Sequence, residues 1–365
     1  MCLYPKLITN PKYKANKKNG GKIPAVLDER VRLVPIGCGK CMECRKQKAR
    51  EWQVRLLEDI KTNKGGKFIT LTFSNSSIKK LSEDIEADRI KKRTKLIEEY
   101  NETLDNNTYL EIEKLEEKKG YELDNAIATK AMRMFLERWR KKYKKSLRHW
   151  MITELGHNGT ENIHLHGIIW TDNEKLKELD NIWQYGHVWK GKEINGQIQN
   201  YVNGQTVSYI TKYVTKIDEK HKYYKGVILT SAGIGRNYTN TYDSTKNKFN
   251  DKNTIETYRT SSGHKIAMPI YWRNKIYSET EREKLWLIKL DKEERWVCGE
   301  KIKIKNGDET EYYKLLEHYR RLNRQLGYGD DKLNWERKAY EESRRTIMQR
   351  RRMSRAEREE LAAMI

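Results

Sequence analysis

Two short runs of this chain alternate in character with a period of two, and a dipeptide that reverses a backbone lies between them. The first is His149-Trp-Met-Ile-Thr-Glu154 and the second is Asn162-Ile-His-Leu-His-Gly-Ile-Ile-Trp170. Asn158-Gly159 separates them, and both residues tolerate the left-handed backbone of a tight hairpin turn. A chain with this feature must build an antiparallel sheet. Alternate strand residues share a face, so His164 and His166 point one way while Ile163 and Leu165 point the other. Two imidazoles on one rigid strand suit a divalent cation, which needs several ligands held in place. The hairpin also brings Glu154 close to His164, although periodicity leaves the register open by a residue. Glu154 is the candidate third ligand, with His157 in reserve.

Downstream, Thr206-Val-Ser-Tyr-Ile-Thr-Lys-Tyr-Val-Thr-Lys216 reads as a helix. Tyr209 and Tyr213 are four residues apart, which places them on one face about 6 Å apart at Cβ. Lys212 follows the first tyrosine by three residues and Lys216 the second, giving two Tyr-x-x-Lys units. A phenol with a pKa near ~10 is a weak nucleophile at neutral pH. An ammonium or metal ion beside it favours the phenolate, and a lysine also holds a phosphate. Upstream, Lys67-Phe-Ile-Thr-Leu-Thr-Phe73 alternates as a strand. Ile69, Leu71 and Phe73 fall on the core side, and Phe68, Thr70 and Thr72 on the other. Outward threonines can hydrogen-bond phosphates without reading sequence. Each pattern alone is also what ordinary packing and solvation produce. Their order along one basic chain is what singles them out.

That order resembles the rolling-circle replication initiators of the HUH endonuclease superfamily. Their motifs map onto Phe68-Ile-Thr-Leu-Thr-Phe73, His164-Leu-His166 and Tyr209-x-x-Lys212-Tyr213-x-x-Lys216. The paired tyrosines are similar to those of the microvirus branch of single-stranded DNA phages. The gokushovirus-like initiators share more: Cys38-Gly-Lys-Cys41-Met-Glu-Cys44, Gly233-Ile-Gly-Arg-Asn-Tyr238, and Gly263-His-Lys-Ile-Ala-Met-Pro269-Ile-Tyr-Trp. The resemblance covers roughly residues 1–280. It implies a 5′-phosphotyrosine link, a free 3′-OH that primes a host polymerase, and a separate host helicase. It also implies work in the cytoplasm of a bacterial host.

Composition agrees with a polyanionic partner. The 365 residues carry a net charge of +23, and such an excess points first to nucleic acid. Hydrophobic residues make up 36% and charged residues 35%, lean for a core but adequate given the bulk of 10 Trp and 22 Tyr. No stretch is long and apolar enough to span a bilayer, and the first residues lack a signal-peptide core, so a soluble intracellular protein is expected. An odd cysteine count without a secretion signal argues against a disulfide framework. Cys38, Cys41 and Cys44, joined by Cys2, can form a tetrahedral zinc site. Free thiols on an incipient helix are the alternative, and iron–sulfur ligation is a further one.

The remaining chain sets the architecture. Little regular structure is expected before Val31. A helix runs from Met42 to about Thr62, with Trp52, Leu56 and Ile60 recurring at fours. Residues 76–122 are highly charged and read as an insertion of exposed helices. In Thr129–Tyr143 an apolar stripe of Met132, Phe135, Leu136, Trp139 and Tyr143 opposes Arg138, Lys141 and Lys142, which can track a DNA backbone or serve as a solvated face. Glu174–Trp183 reads as a helix and Gly186–Lys190 as an edge strand. The order β-α-β-β-α-β-α gives an α+β fold with an antiparallel ferredoxin-like or RRM-like sheet. The HUH resemblance implies the same fold. Three regions follow: 1–64 with the cysteine cluster, 65–225 with the endonuclease motifs, and a basic, largely helical 226–365. Within the last, 279–297 and 309–326 read as helices. Lys332–Met364 reads as a basic helical tail that binds phosphates or serves solubility or assembly.

The sequence therefore points to a metal-dependent, single-strand DNA endonuclease and strand transferase. Mg²⁺ or Mn²⁺ would sit on His164, His166 and Glu154, with Tyr209 or Tyr213 as nucleophile on origin DNA. No Gly-x-x-x-x-Gly-Lys-Ser/Thr occurs, so no ATP-driven motor is expected. A non-catalytic basic single-strand binder is the alternative, as is an HUH relaxase or transposase acting on other DNA.

Overall fold

The computed structural model describes residues 2–260, 263–304, 306–328 and 335–363. Contacts divide the chain into two units. One is assembled from Asn63–Tyr213, Asp218–Ala232 and Asn334–Ile365, the other from Met1–Thr62, Val214–Ile217 and Gly233–Leu333. Both mix helices with antiparallel sheet.

The first unit is built on a five-stranded sheet. Its order is Val188–Trp189, Gly66–Leu71, Ile163–Trp170, Arg148–Leu155, Ile228–Thr230, and every neighbouring pair is antiparallel. The hairpin is present, and its register is now fixed: Glu154 lies opposite His164, and Ile152 opposite His166. Its turn closes over Gly156–Asn162, where Gly159 takes a φ of +59° and Glu161 one of +50°. One sheet face carries Ile69, Leu71, Met151, Leu155, Ile163, Leu165 and Ile169 into the core. The helix Gly120–Tyr143 covers that face with Met132, Phe135 and Trp139, as its stripe demands. Gly167 lies in the middle of this layer. A Cβ there would come within 2.3 Å of the Met151 sulfur and the Trp150 carbonyl, so only glycine lets the two hairpin strands pair.

Several expectations need correction. The charged stretch over 76–122 is not merely an exposed insertion. Its long helix, Asn75–Thr103, buries Ile78 and Leu81 in the core, and a second helix spans Asn106–Glu113. Glu174–Trp183 is two short helices, Asn173–Lys177 and Leu179–Trp183, broken at Glu178. The edge strand Ile228–Thr230 was invisible in sequence because three residues carry too little period to detect.

The basic tail begins outside the described residues, and Met364 also lies outside them. What is described is a helix, Trp335–Ala363. Arg345 and Arg352 are fully buried against Asp124, which is itself fully buried. Arg344 pairs with Glu161 at 2.7 Å. Three of the arginines expected to face phosphates or solvent are thus structural.

In the second unit the helix Met42–Thr62 forms as expected. The N-terminal stretch is more ordered than expected, because Lys6–Thr9 pairs with Leu33–Ile36. Residues 294–297 are not helical. Glu294–Val297 pairs with Glu300–Lys303 across a turn in which Cys298 and Gly299 take φ values of +49° and +97°. Among the described residues no helix is long and apolar enough to cross a membrane.

Candidate metal and nucleophile site

The sheet face opposite the helical core carries the chemistry. Register places Thr70, His166 and Ile152 in one row across three strands, with Glu154 and His164 in the next. The Glu154 carboxylate Oε2 lies 3.0 Å from His166 Nε2 and 3.3 Å from His164 Nε2. All three side chains are largely shielded from water, and their ligand atoms lie within 4.8 Å of one another.

The other ring nitrogens explain the orientation. His164 Nδ1 is 3.3 Å from the Asn162 carbonyl, and His166 Nδ1 is 2.9 Å from the Thr70 hydroxyl. A carbonyl only accepts, so His164 carries its proton on Nδ1. In the neutral ring Nε2 is then a lone pair aimed at a carboxylate oxygen. Lone pair against anion is repulsive unless a proton or a cation lies between. Two imidazoles and a carboxylate aimed at one point, each ring oriented from behind, are the donor set of a divalent metal site. His157 does not belong to it: its ring faces Asp218, 3.8 Å from the carboxylate.

The helix Gly204–Thr215 brings the tyrosines over this face. Val207 and Ile210 are buried beneath it, which fixes its rotation and presents the Tyr209 and Tyr213 side. The Tyr213 ring stacks on His166 with centroids 4.8 Å apart and planes 14° off parallel. Tyr209 packs edge-on against Phe68 at 5.9 Å and is 51% exposed. The two phenol oxygens are 2.8 Å apart and share a hydrogen bond. Burial pushes the Tyr213 phenol above its ordinary value, and the Tyr209 hydroxyl and the Glu154 charge add to the rise. A cation on the trio would offset the last of these. Lys212 is exposed on this helix, while Lys216 lies one residue beyond its end.

The residues expected to meet DNA divide. Thr70 orients His166, and the Thr72 hydroxyl donates to the His187 carbonyl at 2.9 Å. Arg138 is committed inward: its guanidinium donates to the Ile182 and Trp183 carbonyls at 2.7 and 2.8 Å and lies over the Tyr185 ring. Lys142 pairs with Glu178 at 2.5 Å, and Lys141 is exposed.

Sequence reasoning missed a buried ionic cluster in the same unit. His221, fully buried, has Nδ1 2.6 Å from Asp218 and Nε2 2.8 Å from Glu161. Glu161, in the hairpin turn, also takes Arg344. No local spacing could have revealed this, because its members are scattered from Asp124 to Arg352.

The other unit holds the second ligand cluster. Cys2, Cys38, Cys41 and Cys44 converge, with the Cys2 and Cys41 sulfurs 3.9 Å apart. Tetrahedral zinc with bonds of ~2.3 Å separates its sulfurs by about 3.8 Å. Backbone N–H groups of Cys38 and Tyr4 donate to Cys2 Sγ at 3.2 and 3.3 Å, and that of Cys41 donates to Cys38 Sγ at 3.3 Å. Hydrogen bonds from Cys2 and the other thiols hold Cys38 as the thiolate, and the same neighbours push Cys41 and Cys44 up. Gly39, with φ at +71°, turns the chain between the first two ligands of the run. The four sulfurs can hold a structural metal such as zinc.

Neither a curated protein nor a solved structure matches the chain. Residues 107–218, which contain the hairpin, the histidine strand and the tyrosine helix, do match a family model, that of the replication-associated proteins of the ORF2 type. That similarity supports a replication-associated protein family and, with it, a role in replication.

Proposed function

We infer that the chain initiates replication by nicking and rejoining single-stranded DNA through a tyrosine–phosphate intermediate, as an HUH-type endonuclease on a ferredoxin-like sheet. The observation that carries this reading is the convergence of Glu154, His164 and His166 beneath Tyr213, with Tyr209 hydrogen-bonded to it. Glu154, His164 and His166 would hold Mg²⁺ or Mn²⁺, which supplies Lewis acidity and charge neutralisation at a phosphate when bound. The chain's own residues do the rest. Thr70 and Asn162 aim the imidazoles. Phe68 and His166 wall the phenols against water. One tyrosine loses its proton, its oxygen forms a bond to phosphorus, and the P–O3′ bond breaks as the 3′ oxygen gains a proton. The phosphodiester is exchanged, so rejoining needs no ATP. A second phenol 2.8 Å from the first is placed to attack in the next round. Origin DNA, a host polymerase at the 3′-OH and a host helicase would be the partners.

The test is covalent capture. Wild type incubated with labelled single-stranded origin-like DNA and Mn²⁺ should yield a denaturation-resistant adduct. Chelator or Tyr209→Phe/Tyr213→Phe should abolish it. Failure with every fragment and ion tried would leave a non-catalytic single-strand binder. An adduct surviving the double variant would move the nucleophile elsewhere.

A further inference from the structure

We propose that Trp189 is a stacking platform for an unpaired DNA base flanking the phosphate at the metal site. This subsite rests on the reading above. The edge strand Val188–Trp189 buries Val188 in the core, so alternation turns Trp189 to the opposite face. Trp189 lies opposite Thr70, in the row that continues to His166. Two strand spacings of ~4.8 Å put it about 10 Å from that histidine at the backbone. Its indole meets Phe68 edge-on at 5.5 Å, and Phe68 meets Tyr209 edge-on at 5.9 Å. A line of rings thus leads from the edge strand to a candidate nucleophile, yet the indole remains 40% exposed.

The setting favours stacking over ion pairing. Lys190 is spent on Asp180 and the Lys177 carbonyl, and Lys67 donates to the Asn200 carbonyl at 2.8 Å. The platform is also rigid. The Thr72 N–H and hydroxyl both bond the His187 carbonyl, and Trp183 Nε1 donates to the Thr72 carbonyl at 2.8 Å. A Cβ on Gly186 would come within 2.6 Å of that same carbonyl, so the segment is pressed against its neighbour. A fixed, exposed ring beside a phosphate site takes bases whose faces are bare, as in single strands, and tolerates any of the four.

The experiment uses the Tyr209→Phe/Tyr213→Phe full-length protein in chelator, so that no cleavage intrudes. Its probes are labelled oligodeoxythymidine and a matched strand of abasic sites, read by anisotropy. Adding Trp189→Ala should weaken oligodeoxythymidine binding by about tenfold or more, within the range known for base–aromatic stacking. Trp189→Phe should recover most of the loss. Neither change should alter abasic binding, the salt slope or the melting temperature. Equal affinity for Trp189→Ala and its parent would overturn the subsite, as would parallel loss on the abasic strand. Tighter binding of the corresponding RNA would overturn the assignment to DNA. If the parent protein binds no single strand at all, the proposed function itself falls.

Discussion

Thr70 shows how much one hydroxyl is asked to do. It sits 2.9 Å behind His166 and sets the direction of a ring that must face Glu154. Groups in this position commonly tune metal affinity by about 10–100-fold. Thr70→Val should therefore lower Mn²⁺ affinity by that order, measured by calorimetry, with little change in melting temperature. His164→Ala should go further and remove both ion binding and adduct formation. At Cys2, Cys38, Cys41 and Cys44 the expected outcome concerns stability. Zinc should be found at one equivalent by elemental analysis, and its removal by chelator should lower the melting temperature of the unit that contains the cluster.

Elements carry the register on which the site depends. Gly167→Ala would drive a Cβ to within 2.3 Å of Met151 and Trp150, so the hairpin strands must separate. Loss of both soluble yield and Mn²⁺ binding is expected, whereas Gly159→Ala, with open space around it, should strain only its turn. The hairpin and the tyrosine helix were legible because their signals are local. Asn158-Gly159 marks the turn, period two marks the strands, and the four-residue step from Tyr209 to Tyr213 marks a helix face. The pairing of Glu154 with His164 was not legible, since turn length alone decides it. Arg138 looked like a phosphate contact because sequence shows charge but not the carbonyls of Ile182 and Trp183 that claim it. The strand Glu294–Val297 was read as helix because charged residues mask a short β run.

Across the molecule, stability and chemistry draw on distant parts of the chain. The net charge of +23 predicts steep weakening of DNA binding with salt, even where stacking sets the local fit. Acid should act through the buried cluster. Despite its burial, Glu161 is held below the usual carboxylate range by Arg344 and His221, and Asp218 likewise by His221. Their stabilisation is complete above the unfolded values near ~4 and is lost as pH falls below them. Circular dichroism should show a melting temperature level from neutral pH to about 5 that drops below about 4, and Asp218→Asn should flatten that drop. Arg345→Ala would leave Asp124 with one arginine fewer in a dry site, a change of about 3–5 kcal/mol. The same carboxylate has a consequence in time. Arg352 follows Asp124 by 228 positions. At about 5–20 residues per second, a ribosome needs roughly 10–50 s to deliver that counterion. Until then the nascent sheet holds an unanswered negative charge, so a newly made chain gains its catalytic unit late, near the close of its own translation.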